Sequence, residues 1–261
     1  MAIERIIPGT IEWQAFYANH ICRYEFAKEE IIKNGAINIL DAACGVGYGS
    51  FFLGSNNQLK ITAIDRSKEA LDIAKKDFNR NNIAYINDDC QVLLDASSNG
   101  LFDSIVSFET LEHLPKPELF ISRCFELLKV GGKLIISTPN QFVSSPNGEK
   151  NWEFHEKEYT PVELNNLLSA EGFSSIQIFG QQFTPIGRFR DQIRDELYKI
   201  SSNPFIRLGK KFQSIFRGHR FSALLPEQSE DFEIKEYKDI VDISNLGKRG
   251  PFVLIAVCEK L

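Results

Sequence analysis

Ile37-Asn38-Ile39-Leu40-Asp41-Ala42-Ala43-Cys44-Gly45-Val46-Gly47-Tyr48-Gly49 is the stretch on which the fold turns. A short apolar run ends on an acid, Asp41, and gives way to a glycine-rich turn. Small residues there let backbone approach a ligand and let a helix pack on the strand before it. The glycines follow G-x-G-x-G spacing, and the G-x-G-x-x-G of dinucleotide-binding turns is absent. A carboxylate at Asp41 would repel a pyrophosphate, whereas an acid beside a cationic group is favourable.

The same pattern repeats outward from this turn. Leu59–Ile64 is a second apolar run and ends at Asp65, eighteen residues after Gly47. An acid at that distance can accept hydrogen bonds from ribose hydroxyls. Ser67 is placed to cap a helix running to about Asn79, with Ala70, Leu71, Ala74 and Phe78 on one face. Ile83–Ile86 ends at Asp88-Asp89, and Phe102–Phe108 and Lys133–Ser137 supply further strands. Helices are expected near Pro117–Lys129, ended by Gly131-Gly132, and over Pro161–Ala170, with Thr160 as cap and Pro161 at the first position. Phe173–Phe179 and Phe252–Val257 complete the set. Strands alternating with helices predict an α/β, doubly wound, seven-stranded and mainly parallel sheet, its last strand antiparallel. Such sheets bind ligands at the carboxyl ends of their strands, where the acids and glycines of this chain lie.

Two stretches fall outside that rhythm. Residues 1–35 read as a helical cover, with a helix over about 10–34 closed by Asn34-Gly35. Residues 181–250 separate the sixth and seventh strands by more than a compact domain uses for a loop. They are expected to form a helical insertion that acts as a lid or recognition region. Within it, 203–220 carries Arg207, Lys210, Lys211, Arg217 and Arg220 among aromatic and apolar residues.

The 261 residues suit one large domain with an insertion, 1–261, and the net charge of −5 is a poor match for non-specific nucleic-acid binding. The five cysteines, Cys22, Cys44, Cys90, Cys124 and Cys258, show no zinc spacing and read as reduced thiols. The amino terminus has no signal-peptide pattern and no stretch is long and apolar enough to span a bilayer, so a cytoplasmic location is expected.

Taken together, these motifs resemble the class I methyltransferases that use S-adenosylmethionine. The resemblance rests on Ile39-Leu40-Asp41 with its glycine turn, Ile64-Asp65, Asn87–Cys90, Phe102–Ser107 and Leu127–Leu134, and covers about residues 20–180. It implies a Rossmann-like fold and S-adenosylmethionine as cofactor. Asp41, Ala43, Cys44, Gly45 and Gly47 would approach the methionine portion. Asp65, followed by Arg66, would hold the ribose, Asp89 and Cys90 would flank the adenine, and Phe108 with Glu109 would lie along the cofactor. Ala43 departs from the family, which usually has glycine there.

Beyond the fourth strand, Glu109, Glu112 and His113 are spaced to share one face of a helical turn. His155, after the fifth strand, is expected at the same end of the sheet. Three readings stand side by side. His113 or His155, helped by Glu112, can take the proton of an attacking hydroxyl. Alternatively, Glu109, Glu112, His113 and His155 can bind one divalent cation, Mg²⁺, Mn²⁺ or Zn²⁺, that acidifies and aligns the hydroxyl. In the third, these residues only orient a helix and a loop, since methyl transfer needs little beyond alignment. The E-x-x-E-H run with a distal histidine is similar to the metal site of small-RNA 2′-O-methyltransferases and to the corresponding run of ubiquinone-pathway O-methyltransferases.

Arg23-Tyr24-Glu25-Phe26-Ala27 and Phe154-His155-x-x-Glu158-Tyr159-Thr160 resemble bacterial methyltransferases of glycan biosynthesis. The leading expectation is O-methylation of a sugar, glycan or other hydroxylated small molecule. The alternatives are an N-methyltransferase on an amino sugar, a catechol-type or RNA 2′-O-methyltransferase, and a non-catalytic cofactor-binding subunit. Residues 203–220 are a candidate for peripheral contact with an anionic membrane or for gripping a phosphorylated sugar.

Overall fold

In the computed structural model, the structure describes residues 6–93, 96, 100–148, 153–202, 228–237, 243, 245–247 and 250–261. Residues 203–220, the candidate membrane contact, lie outside this set. The chain divides into two compact units. One comprises residues 23–182 and 234–261, the other residues 1–22 and 183–233.

The first unit is built on β1 (Asn38–Ala42), β2 (Lys60–Asp65), β3 (Ile83–Asn87), β4 (Phe102–Phe108), β5 (Leu128–Pro139), β6 (Ser174–Phe183), β7 (Phe232–Tyr237) and β8 (Val253–Glu259). The sheet order is β3-β2-β1-β4-β5-β8-β6-β7. β1 through β5 pair in parallel, and β8 enters antiparallel between β5 and β6. β1 is buried from Ile39 to Ala42, which explains its near-continuous apolar sequence. The order reverses direction between β1 and β4, and the carboxyl ends of those two strands open onto one crevice. The glycine turn leaves the end of β1 and Glu109–His113 leaves the end of β4, so topology alone brings the two motifs together.

The helices follow their predicted signals. α1 (Ile11–Lys33), α2 (Tyr48–Leu53), α3 (Lys68–Asp77), α4 (Pro117–Leu127), α5 (Gln141–Ser144), α6 (Pro161–Ala170) and α7 (Pro185–Ser202) occur in that order. Ser67 caps α3 by accepting from the Ala70 amide. Thr160 and Glu163 form a reciprocal capping box at the start of α6. The core between sheet and helices includes Leu40, Ile105, Leu134 and Leu254 from the strands and Phe120, Cys124, Leu164 and Leu168 from the helices.

Three details correct the sequence expectations. Among the described residues the sheet has eight strands rather than seven. The added strand, β7, lies in the 181–250 stretch expected to be helical. Phe232-Glu233-Ile234-Lys235 alternates apolar and charged residues before Glu236-Tyr237, and the strand occupies the sheet edge, where charge deters further pairing. Gly131-Gly132 does not end a helix: α4 stops at Leu127 and β5 begins at once. The two glycines belong to a bulge where pairing jumps from Phe102–Leu128 to Ser104–Lys133. Gly132 is needed there because a Cβ would lie 2.8 Å from the Lys129 carbonyl oxygen.

In the second unit, Thr184 caps α7 by accepting from the Gly187 amide. Arg190 donates to the buried carboxylate of Asp231 at 2.9 Å, and Trp13 stacks on Tyr17 at 4.2 Å. No helix among the described residues is long and apolar enough to cross a membrane.

Candidate functional site

The glycine turn is a backbone device. Ala43, Gly45 and Gly47 have φ of 64°, 57° and 86°. Three left-handed residues in five fold the chain back after β1. The Cys44 amide donates to the Ile64 carbonyl and the Gly45 amide to Asp65 Oδ2, at 2.8 and 3.0 Å. Ala43 is therefore a strained position, because an L-residue with a Cβ pays about 1–2 kcal/mol in this region. Gly47 has no such freedom to lose: besides its φ, a Cβ there would lie 2.6 Å from the Ala74 Cβ and 2.8 Å from the Tyr85 hydroxyl.

Asp41 sits below the turn, fully buried. Ser50 donates to its Oδ2 at 2.6 Å, and the Tyr24 hydroxyl lies 3.3 Å from its Oδ1. Burial pushes the carboxyl up to about 7, while the bonds from Ser50 and Tyr24 pull the other way. Tyr24 comes from α1 and lies against Gly49, where a Cβ would fall 1.9 Å from the ring. Its ring meets Phe108 edge-on at 4.8 Å. Thus α1 contributes a wall to this site through Tyr24, and Gly49 is glycine to admit that ring.

Asp65 ends β2 with both carboxylate oxygens engaged, Oδ2 by the Gly45 amide and Oδ1 by the Ser67 amide at 2.8 Å. A carboxylate can accept about four hydrogen bonds, so ordering the turn does not by itself preclude receiving a ribose hydroxyl. Arg66 is exposed beside it. Asp89 and Cys90 follow β3, Asp89 exposed and Cys90 half-buried, its thiol pushed up to about 12 by burial.

At the end of β4, Glu109 has φ of 50°. That left-handed residue interrupts the helical phase on which the Glu109-Glu112-His113 expectation depends. Only Leu111–His113 forms a single 3₁₀ turn. The Glu109 carboxylate accepts from the Ser137 hydroxyl at 2.8 Å. The groups that do come together are Glu112, His113 and His155, one donor atom of each lying within 4.8 Å of the others. Glu112 is buried, and burial holds its carboxyl well above the usual range; Glu109 adds to this, while Thr138 and Arg23 oppose it. Thr138 donates to Glu112 Oε2 at 3.1 Å.

The two histidines are held alike. His113 Nδ1 lies 3.0 Å from the Phe154 carbonyl, and His155 Nδ1 lies 2.8 Å from Glu158 Oε1. A carbonyl and a carboxylate can only accept, so each Nδ1 carries its hydrogen. In the neutral form each Nε2 then carries a lone pair. His113 Nε2 lies 3.8 Å from Glu112 Oε1. The rings meet edge-on at 4.9 Å. The 155–157 segment is pinned to this turn, because the Glu156 and Lys157 amides both donate to the Glu112 carbonyl, at 2.7 and 3.2 Å.

The structure thus groups the sequence-predicted residues at two neighbouring strand ends: Asp41, Ala43, Cys44, Gly45 and Gly47 after β1, and Phe108, Glu109, Glu112 and His113 after β4. Asp65 and Arg66 follow β2, and Asp89 and Cys90 follow β3. Tyr85, Ser137 and Thr138 were not among the expected residues, and Glu158 stood in a quoted motif without an assigned role. Nothing in a hydroxyl residue within an apolar strand marks it as a carboxylate partner, and Glu158 is one of several acids in an acidic segment.

A methyltransferase-domain family model matches residues 16–178. A probable S-adenosylmethionine-dependent methyltransferase of Mycolicibacterium smegmatis is 30% identical over 171 residues, 65% of this chain and 63% of the relative. The chain therefore spans under two thirds of that protein's length. A protein of Coxiella burnetii named ubiquinone biosynthesis O-methyltransferase is 28% identical over 190 residues, 66% of this chain and 78% of the relative. A solved S-adenosylmethionine-dependent methyltransferase of Thermotoga maritima shares the fold with a TM-score of 0.56, at 16% identity, covering 94% of this chain and 93% of the other.

Proposed function

Because the chain belongs to the class I S-adenosylmethionine-dependent methyltransferase family, we propose that it transfers the methyl group of that cofactor to a hydroxyl oxygen of a sugar, glycan or other small molecule. The observation that carries the oxygen acceptor is the pair of histidines anchored through Nδ1. The two rings lie beside Glu112 at the end of β4, with His113 Nε2 3.8 Å from Glu112 Oε1. A neutral Nε2 is suited to take the proton that a hydroxyl loses as it attacks the methyl carbon. The relative named for O-methylation in ubiquinone biosynthesis is consistent with an oxygen acceptor.

The bound cofactor supplies an electrophilic methyl on a cationic sulfur. Asp41 would place negative charge near the cofactor's cationic end, and Asp65 would offer its carboxylate to the ribose. Asp89 and Cys90 would flank the adenine, and Phe108 with Tyr24, whose rings meet edge-on at 4.8 Å, would form a wall that excludes water from the methyl. The test is a transfer assay with radiolabelled cofactor against a panel of nucleotide sugars, glycans, catechols and amino sugars. Label on an acceptor oxygen supports the reading. Label confined to amino nitrogens, or binding of cofactor with no transfer, sinks it.

A second reading has its own observation. One ligand atom each of Glu112, His113 and His155 lies within 4.8 Å of the others, the kind of grouping a shared cation would use. Glu112, His113 and His155 fit a divalent ion chemically: two imidazoles and one carboxylate leave open positions for an acceptor oxygen. Ligands at about 2.1 Å from an ion lie at most about 4.2 Å apart, so the group would draw in slightly on binding. A cation there would lower the pKa of a hydroxyl bound to it. Titration of Mn²⁺, Mg²⁺ and Zn²⁺ into wild type and His155→Ala separates the readings: binding lost in the variant supports the ion, and full activity in chelator excludes it.

A further inference from the structure

We infer that Glu158 is the positioning residue of this site, setting both the tautomer and the direction of His155. This rests on the reading of His155 as a group that faces the acceptor. The Glu158 carboxylate is buried and divided between two tasks. Oε1 receives the His155 Nδ1 hydrogen at 2.8 Å. Oε2 accepts from the hydroxyls of both Ser144 and Ser145.

Each feature has a physical consequence. A carboxylate cannot donate, so His155 must place its hydrogen on Nδ1, and Nε2 keeps the lone pair. The two serine bonds stop the carboxylate from rotating, so the imidazole plane is fixed as well as its tautomer. Ser144 ends α5 and Ser145 follows it, directly after β5. The same segment is joined again by the Gln141 amide donating to the Tyr159 carbonyl at 3.0 Å, and by a parallel bridge between Asn140 and Tyr159. The end of β5 is therefore the rigid base, Glu158 is the bracket, and His155 is the arm it aims. His113 is aimed instead by a backbone carbonyl, that of Phe154. One histidine depends on a replaceable side chain, and the other does not.

A purely structural glutamate would tie the 155–159 segment to α5 and leave imidazole chemistry untouched. The two roles separate by measurement. Long-range proton–nitrogen correlation spectra of histidine-labelled protein report which ring nitrogen carries hydrogen. In wild type His155 is expected as the Nδ1–H tautomer. In Glu158→Ala its signal moves toward the Nε2–H form while His113 is unchanged. Loss of an outer partner of this kind is expected to lower kcat ten- to hundredfold. The cofactor Kd stays close to wild type, while the melting temperature falls because Ser144, Ser145 and His155 lose their acceptor. Ser145→Ala, which leaves the His155–Glu158 bond intact, keeps the tautomer and loses less activity, so a folding defect in Glu158→Ala cannot mask the result.

An Nε2–H tautomer in wild type, or an unchanged His155 signal in Glu158→Ala, overturns the inference whatever happens to activity. A tautomer shift in Glu158→Ala with unchanged kcat on a hydroxyl acceptor also overturns it. If no hydroxyl is methylated by wild type while the tautomer depends on Glu158 as stated, the positioning stands and the proposed acceptor is what fails.

Discussion

Asp41→Asn separates folding from cofactor binding most directly. Asp41 is buried, and burial raises its carboxyl from 3.8 to about 7. Between those values the folded protein holds a proton that the unfolded chain has already released. Stability therefore falls as pH rises through that window, by about 1.4 kcal/mol per pH unit. The full cost is about 4 kcal/mol and is constant above it. Asparagine keeps an oxygen to accept from Ser50 and carries no charge, so this component of the slope disappears. Denaturant unfolding of the two cofactor-free proteins at a series of pH values from about 4 to 8 measures it. The variant is expected to match wild type at the acid end and to exceed it by a few kcal/mol at the alkaline end. Cofactor affinity moves oppositely. At pH 6 about nine-tenths of wild-type Asp41 is protonated, so binding of a cationic ligand should be about tenfold weaker than at pH 8. The variant should bind weakly at both, with no step. Parallel stability curves, or wild-type affinity in the variant at pH 8, would refute the reasoning.

Other expectations follow from the same geometry. Gly49→Ala puts a Cβ 1.9 Å from the Tyr24 ring, and forced overpacking of this kind costs about 1–3 kcal/mol. Calorimetric unfolding should show that loss together with weaker cofactor binding, because Tyr24 must swing off Asp41. Ala43→Gly relieves the left-handed strain at φ 64°, and after the extra freedom of the unfolded chain is subtracted should gain up to about 1 kcal/mol. A clear fall in the urea midpoint would show that the turn is not held in this conformation. Glu112→Gln removes the charge that a cation would need, so it should abolish Mn²⁺ binding by titration calorimetry while S-adenosylmethionine still binds. Retained metal affinity would place any ion elsewhere.

The larger part of the fold was legible because its signals are local. Ser67 before an amphipathic run, Thr160-Pro161 with Glu163, and acids at the ends of apolar runs act over three or four residues, and short-range sterics and hydrogen bonding decide them. β7 was missed because an edge strand carries charge on its open side and reads as a polar segment. Gly131-Gly132 was misplaced because glycine serves a bulge and a helix end equally well. At the site, the residue types were readable but their pairing was not. The backbone conformation of Glu109, which turns its carboxylate to Ser137, has no signature in the side-chain pattern.

The sequence by itself determined the glycine turn after Asp41 and, with it, the family and the kind of cofactor. Chain direction, small residues and one acid at a strand end suffice for that, since the ligand meets mostly backbone. Only the tertiary structure decided which side chains come together at the end of β4. Tyr24 reaches Asp41 across seventeen residues because α1 lies against the end of β1, and Glu112 meets His155 across more than forty because parallel β4 and β5 end at the same side of the sheet. The tautomers of His113 and His155 depend on which acceptor each Nδ1 finds, and that is set by how the 154–158 segment lies against β5.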